Sequence, residues 1–588
     1  MVIKMHNANF SAGINSLRKN LERHIENFDE KRGMIASVID GSAGYHTKLS
    51  GCVHHIETST STAAIIYFLE REDLYDKAKR MLNEVLLLQD VREDSPTFGL
   101  WPYYSEETCD EMIEPDYNMA DFNARHLVYL LTKKREFFDD AMLSAMTDAL
   151  YRAAVCSMRR NVSADYTNIS MMSLNTIIPA GELCGNPDFF EKGKERLRKA
   201  YHYNMYCGAF SEFNCPGYTP LAIGEIGRMM HFFSDTECVK MATDLNRLGW
   251  EMLLCHYHKE LGQVAAPNMR APRTVNGDIT DTILFIGTSG KFGHIDEERM
   301  NFVDMYIAPP VCPEDLVEKY LVQGIEKPVF YDRLYYRKND LRSEGEDTVI
   351  IRNIKSPDLR YFTYMAQNYT MGAFEATDTW SQKRSNLIYW GEKGSVKALR
   401  LTCFNDEYAY SSGMIYTNQL DNVQLIHTGF VTDRGDFHYI IDKVKDGKLT
   451  TEKLLYPFML EGDCGDVRVT QKGNRFTVED KDIKIDINIQ EAYFNGEPME
   501  LRYNADKFRI EAICFEGGNS VDFNEMKNPT YMVATIAVNT EVEIPETTVS
   551  DGLVKSKLNV NGKTLTLESP STPVGFDTAM ETVKTFKE

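Results

Sequence analysis

The sequence predicts a multidomain α+β fold, in which an N-terminal (α/α)6-type helical toroid is followed by a large antiparallel β-sandwich. Residues 1–290 carry apolar side chains at helical spacing, whereas residues from 346 onward alternate between apolar and polar. The stretch between them mixes proline, glycine and charge. We therefore predict a toroid at 1–290, a linker region at 291–345 and a sandwich at 346–588.

The helical half contains eight long periodic segments separated by turns. They lie at 59–70, 73–89, 118–134, 137–158, 168–184, 188–206, 219–233 and 236–257. Such lengths, joined by turns, predict antiparallel helix pairs. Polar residues mark the predicted starts, for example Thr58-Ser59 and Asn118. No fixed repeat length is present, which argues against a solenoid.

The C-terminal half contains strand-like segments with polar turns between them. The segments are TVIIRNI, RYFTYMAQNY, NLIYWGE, FHYIIDKV, RFTVEDKDIKIDINIQ and FRIEAICFEG, and the turns include DRGD, KDGK, KGNR and FNGE. Alternation with period two fits strands that are buried on one face, and so predicts stacked sheets.

Composition limits the classes of partner. A net charge of −22 disfavours nucleic-acid binding, which needs clustered Lys and Arg. No apolar run is long enough for a transmembrane helix and no signal sequence is evident, so we expect no membrane contact and a cytoplasmic protein. The twelve scattered cysteines fit reduced thiols better than disulfides or zinc. We expect no metal and no cofactor, and a homo-oligomer is compatible with the sequence.

The first candidate site combines a helix start with an aromatic loop. Its residues are Trp101, Tyr103, Asp116, Asn118, Asp121 and Asn123. Sugar sites need aromatic faces for the apolar side of a ring, with carboxylates and amides for its hydroxyls. In the competing structural interpretation, Asn118 is only a helix cap and Asp121 only pairs with Arg125.

The second candidate site is the loop FSEFNCPGY, which includes Glu212, Asn214 and Tyr218. Burial beside aromatic rings raises the pKa of a carboxyl group, as a general acid at neutral pH requires. Because glycosidases use two carboxyl groups, we pair Glu212 with Asp116 as the catalytic residues. Alternatively, Glu212 caps the next helix or pairs with an arginine.

Further candidates lie on neighbouring segments. Arg270 and Arg273 fall among prolines and can clamp a carboxylate, or else form interdomain ion pairs. Asn168 and His55 precede predicted helices, where each is either a substrate ligand or structural. Trp380 and Gln382 in the second half can reach over the toroid or simply pack in a sheet.

Several other enzyme classes lose support because their motifs are missing from the sequence. We find no HExxH metal spacing, GxGxxG or Walker loop, or GxSxG elbow. Nucleotide-dependent and serine-hydrolase chemistry are therefore disfavoured.

Four segments together resemble a known enzyme group. They are DYTNISMMSLNTIIPAGE, FSEFNCPGYTPLAIGEIGRM, APNMRAPRTVNGD and YTMGAFEATDTWSQKRSNLIYW, within residues 50–400. They resemble the heparinase II/III-like toroid-plus-sandwich enzymes, and within them glycoside hydrolase family 154, the exo-acting β-glucuronidases. The resemblance implies removal of terminal β-linked glucuronic acid from oligosaccharides or glucuronides. It also implies site roles for Asn168, Glu212, Asn214, Tyr218 and Gln382, and less closely for Arg270 and Arg273.

Three functions stay open at this point. Hydrolysis by paired carboxyl groups is favoured. The first alternative is a lyase, such as a rhamnosyl-glucuronate lyase, that eliminates next to a uronate with a Tyr or His base. Bases available for it are Tyr103, Tyr166, Tyr218, His55 and His126. The second alternative is a glycan-binding protein without catalysis.

Overall fold

The computed structural model describes residues 7–41, 46–271, 273–295, 303–325, 327–336, 358–433 and 447–582. The helices are α1 (Asn7–Glu26), α2 (Ile56–Phe68), α3 (Tyr75–Leu87), α4 (Asn118–Lys133), α5 (Asp140–Arg160), α6 (Thr167–Leu183), α7 (Pro187–Cys207), α8 (Tyr218–Phe232), α9 (Thr236–His256), α10 (Asp278–Gly287), α11 (Glu314–Leu316) and α12 (Phe576–Thr582). Short 3₁₀ turns lie at Glu72–Leu74, Arg135–Phe137 and Val303–Ile307, and a π-helical turn at Val317–Val322 follows α11.

The strands fall into two short N-terminal groups and a long C-terminal series. They are β1 (Phe28–Asp29), β2 (Met34–Ile39), β3 (Gly51–His55), β4 (Tyr257–His258), β5 (Gln263–Val264), β6 (Val329–Tyr336), β7 (Asp358–Met365), β8 (Tyr369–Phe374), β9 (Ala376–Asp378), β10 (Leu387–Glu392), β11 (Ser395–Leu401), β12 (Phe404–Asn405), β13 (Tyr408–Ala409), β14 (Gly413–Leu420), β15 (Val423–Phe430), β16 (Lys448–Glu461), β17 (Arg468–Lys472), β18 (Arg475–Asp480), β19 (Ile483–Phe494), β20 (Glu497–Pro498), β21 (Glu500–Asn504), β22 (Arg509–Asp522), β23 (Tyr531–Val538), β24 (Glu546–Ser550), β25 (Leu553–Val560) and β26 (Lys563–Pro570).

The helical half is a toroid of hairpins. Helices α2 and α3, α4 and α5, α6 and α7, and α8 and α9 pair in turn, while α2, α4, α6, α8 and α10 pack side by side as an inner ring. The inner helices are the more completely buried ones: α6, for example, is buried from Thr167 through Gly181. Because each hairpin reverses direction, the N-termini of the inner helices share one end of the toroid. All eight predicted helices are present.

The predicted starts of two inner helices need correction. Helix α2 begins at Ile56, and Ser59 lies inside it, where its hydroxyl donates to the carbonyl of His55 at 2.6 Å. Asn118 is the first residue of α4 and does not cap it; its backbone N–H instead donates to Asp116. In both places a polar residue inside the first turn resembles a cap in the sequence.

The C-terminal half is an antiparallel sandwich of three stacked layers. A ten-stranded sheet has the path β13-β12-β16-β11-β10-β8-β7-β6, with β21 and β22 continuing from β16. An eight-stranded sheet has the path β17-β18-β19-β23-β15-β14-β9, with β20 beside β19. One apolar core fills the space between them, and a second lies between the smaller sheet and β24-β25-β26. The toroid-plus-sandwich prediction is thereby confirmed.

Two of the predicted strands cannot be compared with the structure. The strand predicted at TVIIRNI and the one at FHYIIDKV lie outside them. Strand β6, from the predicted linker region, pairs with β7 at the edge of the ten-stranded sheet.

None of the described helices is long and apolar enough to cross a membrane. None of the twelve cysteines, all of which lie in the described ranges, forms a disulfide, and nine of them are buried.

The toroid and the sandwich are joined through the segment that follows β5. Asn268 and Arg384 exchange backbone hydrogen bonds at 3.0 Å, and the Thr363 hydroxyl donates to the carbonyl of Ala266 at 2.7 Å. The ring of Phe213, from the loop before α8, packs 4.7 Å from that of Tyr361 in β7. These contacts bring the sandwich to the toroid end that carries the inner-helix N-termini.

Candidate active site

The inner-helix N-termini differ from the outer ones in how they are capped. Helices α5, α7 and α9 of the outer ring each receive a side-chain cap, from Asp139, Asn186 and Asp235, whereas the outer helix α3 receives none. The N-cap residues of the inner helices α2, α4, α6, α8 and α10 make no such hydrogen bond. A helix N-terminus carries unsatisfied N–H groups and a partial positive charge. The rim formed by the inner ring therefore favours anionic groups.

Glu212 lies at this rim, against the start of α6. Its side chain is 7% exposed, and the backbone N–H of Asn168, in the first turn of α6, donates to Oε2 at 3.0 Å. The Asn168 amide lies 3.4 Å from Oε1, and Arg270 donates to the same oxygen at 2.8 Å. One carboxyl group thus joins the α6 N-terminus, the loop before α8 and the segment after β5.

The protonation of Glu212 reflects two opposed influences. Burial raises the pKa of its carboxyl group, and this outweighs the lowering by Arg270 and by the hydrogen bond from Asn168. A raised pKa keeps the proton on the carboxyl group to higher pH than usual. The group is therefore suited to donate a proton to a bound substrate.

Arg270 is oriented from three sides. Its Nε donates to Oε1 of Gln382, which the sandwich supplies, at 2.9 Å. Its guanidinium carbon lies 4.3 Å from the ring centre of Tyr218 and 5.0 Å from that of Tyr166. The side chain is 20% exposed, so the guanidinium is both fixed and open to a ligand.

A second group of polar residues surrounds Asp116 at the start of α4. The hydroxyl of Tyr103 donates to Oδ2 at 2.6 Å, and the backbone N–H of Asn118 donates to Oδ1 at 3.0 Å. The His46 ring packs edge-on against Tyr103, and the Asn118 side chain accepts a hydrogen bond from Arg160. No hydrogen bond or ion pair between Asp116 and Glu212 occurs in the described ranges, and α6 lies between their helices.

Four predicted substrate-binding residues occupy other places, which corrects the sequence analysis. Trp101 is fully buried, and its indole N–H donates to the carbonyl of Val85, so no ring face is offered to a sugar. Asn123 is also fully buried and accepts from Thr60 inside the toroid.

The other two corrections concern the loops around Glu212. The Asn214 amide donates to two backbone carbonyls, Ala265 at 2.5 Å and Pro267 at 3.0 Å, so it shapes the loop. Its φ of +52° is a left-handed conformation that Asn tolerates. Arg273 is exposed, and none of the contacts described around Arg270 includes it.

Asp121 and His55 complete the predicted set; Asp121, like Trp101 and Asn123, is enclosed in the helical core, which corrects its assignment as a substrate ligand. Asp121 is completely buried one turn into α4, with no hydrogen bond of standard geometry, and burial raises its pKa to about 6, against lowering by Thr176 and Ser157. His55 precedes α2, bonds to Ser37 at 2.6 Å, and packs against Tyr104 at 4.9 Å between ring centres. Burial lowers the pKa of His55.

A charged network that the sequence analysis missed spans the toroid below the rim. Arg125 of α4 donates to Glu225 of α8 at 3.0 Å and to Glu57 of α2 at 3.2 Å. Asn175 of α6 donates to the other oxygen of Glu225 at 2.9 Å. The sequence did carry a signal for this network, because charged residues occur on helices that are otherwise apolar and buried. His126, named as a lyase base, is fully buried and lies 3.2 Å from Glu57 in the first turn of α2.

Comparison with known proteins yields one family model and several solved structures. A model described as a domain of unknown function, DUF8769, matches residues 26–276. No curated protein sequence matches. The chain is similar to a crystal structure of heparinase III, with 11% identity, a TM-score of 0.48 and coverage of 97% of this chain and 92% of that one. It is also similar to a heparinase III with methylated lysines, with 10% identity, a TM-score of 0.40 and coverage of 87% and 82%.

Proposed function

We propose that the protein is a glycoside hydrolase that removes a terminal β-linked glucuronic acid from an oligosaccharide or glucuronide. The observation that carries the proposal is the contact between Glu212 and Arg270 at the rim of the toroid. It places a carboxyl group with a raised pKa beside a fixed, accessible guanidinium. The first group suits proton donation, and the second suits a uronate carboxylate.

Substrate binding strengthens the acid role of Glu212. Arg270 is among the groups that lower the pKa of Glu212 in the free protein. A uronate carboxylate bound to Arg270 adds a negative charge beside Glu212 and offsets that lowering. Glu212 then holds its proton more firmly when substrate is bound, and passes it to the glycosidic oxygen as the bond breaks.

The surrounding residues supply the rest of a sugar pocket. Tyr218 and Tyr166 flank the guanidinium. Asp116, held by Tyr103, offers a carboxylate for sugar hydroxyls at the neighbouring helix start. The uncapped inner-helix N-termini favour the negative charge of the substrate. Together these features support a pocket for a single acidic sugar.

Elimination is the second candidate, because Arg270 lies beside two tyrosines and Asn168. A lyase neutralises the uronate carboxylate and removes the neighbouring proton with a base such as tyrosine. Burial raises the pKa of Tyr218, which makes its hydroxyl harder to ionise and weakens this candidate. Elimination is the alternative that the product analysis distinguishes from the proposed hydrolysis.

The test is a product analysis with aryl β-D-glucuronides, with glucuronic-acid-terminated oligosaccharides, and with oligosaccharides whose glucuronate carries a sugar on O4, because elimination next to the uronate needs a leaving group at C4. Hydrolysis releases glucuronic acid with no ultraviolet absorbance from an unsaturated uronate, whereas elimination creates that absorbance. Aryl β-D-glucosides are the matched neutral substrates, and Glu212→Gln is the control variant. We expect saturated glucuronic acid from the wild type alone. An unsaturated product, or turnover of glucosides only, would overturn the proposal.

A further inference from the structure

Asp165 lies in the turn that leads into α6, next to the residues that contact Glu212. Tyr166 N–H donates to the carbonyl of Ser163 at 3.2 Å, and the Ser163 hydroxyl donates to Oδ1 of Asp165. Three residues later, the backbone N–H of Asn168 donates to Glu212. Successive Cα atoms are about 3.8 Å apart, so even a straight chain would place the Cα atoms of Asp165 and Asn168 no more than about 11 Å apart.

The turn is anchored to the site on the other side as well. Tyr166, the next residue after Asp165, packs its ring 5.0 Å from the guanidinium carbon of Arg270. Arg270 in turn donates to Glu212. Asp165 therefore belongs to a short segment of which one residue contacts the cation and another contacts the acid.

Asp165 and Asp116 differ in how their oxygens are engaged. Both oxygens of Asp116 accept close hydrogen bonds, from Tyr103 and from Asn118. Within the described residues, Asp165 accepts a hydrogen bond at Oδ1, from Ser163, and its side chain is partly exposed. The carboxylate of Asp165 is thus the more available of the two for a reacting atom.

The charge of Asp165 also acts on Glu212. Burial is the largest cause of the raised pKa of Glu212, and the negative charge of Asp165 adds to it. This electrostatic coupling agrees with the placement of the turn.

We propose that Asp165, and not Asp116, is the second catalytic carboxyl group, an inference that rests on the proposed hydrolase function. Glu212 gives its proton to the glycosidic oxygen, and the C–O bond breaks with its electron pair on that oxygen. Asp165 acts at the anomeric carbon in one of two ways. It attacks that carbon directly, or it takes a proton from a water molecule whose oxygen attacks the carbon. Water supplies the new hydroxyl group, and the proton it loses returns to the carboxyl pair. Asp116 then binds substrate hydroxyls.

The experiment compares Asp165→Ala and Asp116→Ala on an aryl β-D-glucuronide with a good leaving group, with and without azide. Azide replaces a missing carboxylate nucleophile or base, and forms a glucuronosyl azide with release of the phenol. We expect Asp165→Ala to lower kcat by about 10²–10⁴-fold and azide to restore turnover with formation of that product. Azide should not restore Asp116→Ala.

Two results would overturn the inference: near wild-type turnover by Asp165→Ala, or azide rescue of Asp116→Ala in its place. Asp165→Asn keeps the size of the side chain, so loss of turnover in this folded variant separates chemistry from a misplaced turn. Thermal unfolding of each variant reports folding. Absence of glucuronide hydrolysis by the wild type would instead refute the hydrolase function itself, and the inference with it.

Discussion

The guanidinium group of Arg270 donates one hydrogen bond to Glu212 and another to Gln382, and it lies close to the rings of Tyr218 and Tyr166. Such a planar, fixed guanidinium recognises a carboxylate by paired hydrogen bonds, which lysine does not reproduce. Under the proposed function, we therefore expect the identity of this single side chain to set a preference for an acidic sugar.

At this residue we predict that Arg270→Lys raises KM for an aryl glucuronide about tenfold or more, since the charge stays but the planar fork is lost. Steady-state kinetics on glucuronide and glucoside measure the change. Arg273→Lys is the matched control, because Arg273 is exposed outside the cluster, and should change little. Equal effects of the two substitutions would contradict the assignment of Arg270.

Asp121 gives a prediction about stability and pH. Its pKa is raised to about 6 in the folded protein, from an ordinary value of 3.8, because burial disfavours the charge. Between these values the folded state holds a proton that the unfolded state has released, so stability falls as pH rises through this window. The loss is about 3 kcal/mol once the pH is above the folded pKa.

Asp121→Asn removes this titration and should stabilise the protein at pH 8 relative to wild type, with little difference at pH 4. Thermal or urea unfolding of both proteins at the two pH values measures it. A stability difference that does not vary with pH would show that Asp121 does not titrate in this way.

Sequence reasoning singled out Glu212, whose role as the acid is a prediction, but placed Trp101 wrongly. Glu212 was identifiable because Phe210 and Phe213 flank it in a polar loop. Trp101 was misassigned because an aromatic residue in a loop can face either the core or a ligand, and the sequence does not distinguish them. Asp165 was not paired with Glu212, because the relation between the two residues depends on how α6 packs against α8 and the loop before it.

At the scale of the elements, the two rings of helices use their N-termini differently. Three of the four outer helices, α5, α7 and α9, are capped by side chains, whereas at the inner helix α6 a first-turn N–H donates to Glu212 of the rim. Helical periodicity predicted all eight of these helices, because burial along one face determines it. Their starting residues were less predictable, because Ser, Asn and Asp also bond within a first turn.

Asp139 tests the capping role at the start of α5, at the toroid end away from the site. Its side chain accepts from the backbone N–H of Met142 at 2.9 Å. We expect Asp139→Ala to lower the free energy of unfolding by about 1 kcal/mol and to leave kcat unchanged. Asp139→Asn retains a cap and should stay close to wild type. If both variants lose the same stability, the contribution is not from capping.

At the scale of the whole molecule, the site depends on both halves of the chain. Gln382 reaches Arg270 from the sandwich, and the segment after β5 exchanges backbone hydrogen bonds with residue 384. The alternating pattern predicted the sandwich, yet no local signal indicates which of its strands meets the toroid. That pairing follows from tertiary packing.

Gly372 of β8 lies directly against the backbone of Ala266 at the junction between the sandwich and the toroid. A Cβ atom built there would lie 2.1 Å from the Ala266 carbonyl oxygen, which belongs to backbone and has little freedom to move. We predict that Gly372→Ala lowers the free energy of unfolding by about 1–3 kcal/mol. It should also reduce kcat, because the segment that carries Arg270 shifts. Thermal unfolding and kinetics check both effects.

Gly429 in β15 is the matched control for this substitution. The nearest atom to a Cβ there is in the Tyr416 ring, at an ordinary contact distance of 3.8 Å. Gly429→Ala should preserve kcat. Reduced kcat in both variants to the same extent would mean that the junction is not what positions Arg270.

The most direct test of Glu212 as the proton donor is to measure how the loss of kcat/KM in Glu212→Gln varies with the leaving group. A general acid matters most when the departing oxygen is basic and least when it leaves readily without a proton. We predict that kcat/KM for an alkyl or phenyl glucuronide falls by about 10²–10⁴-fold, while that for a dinitrophenyl glucuronide is largely retained. Equal losses for both leaving groups would contradict the assignment of Glu212 as the acid.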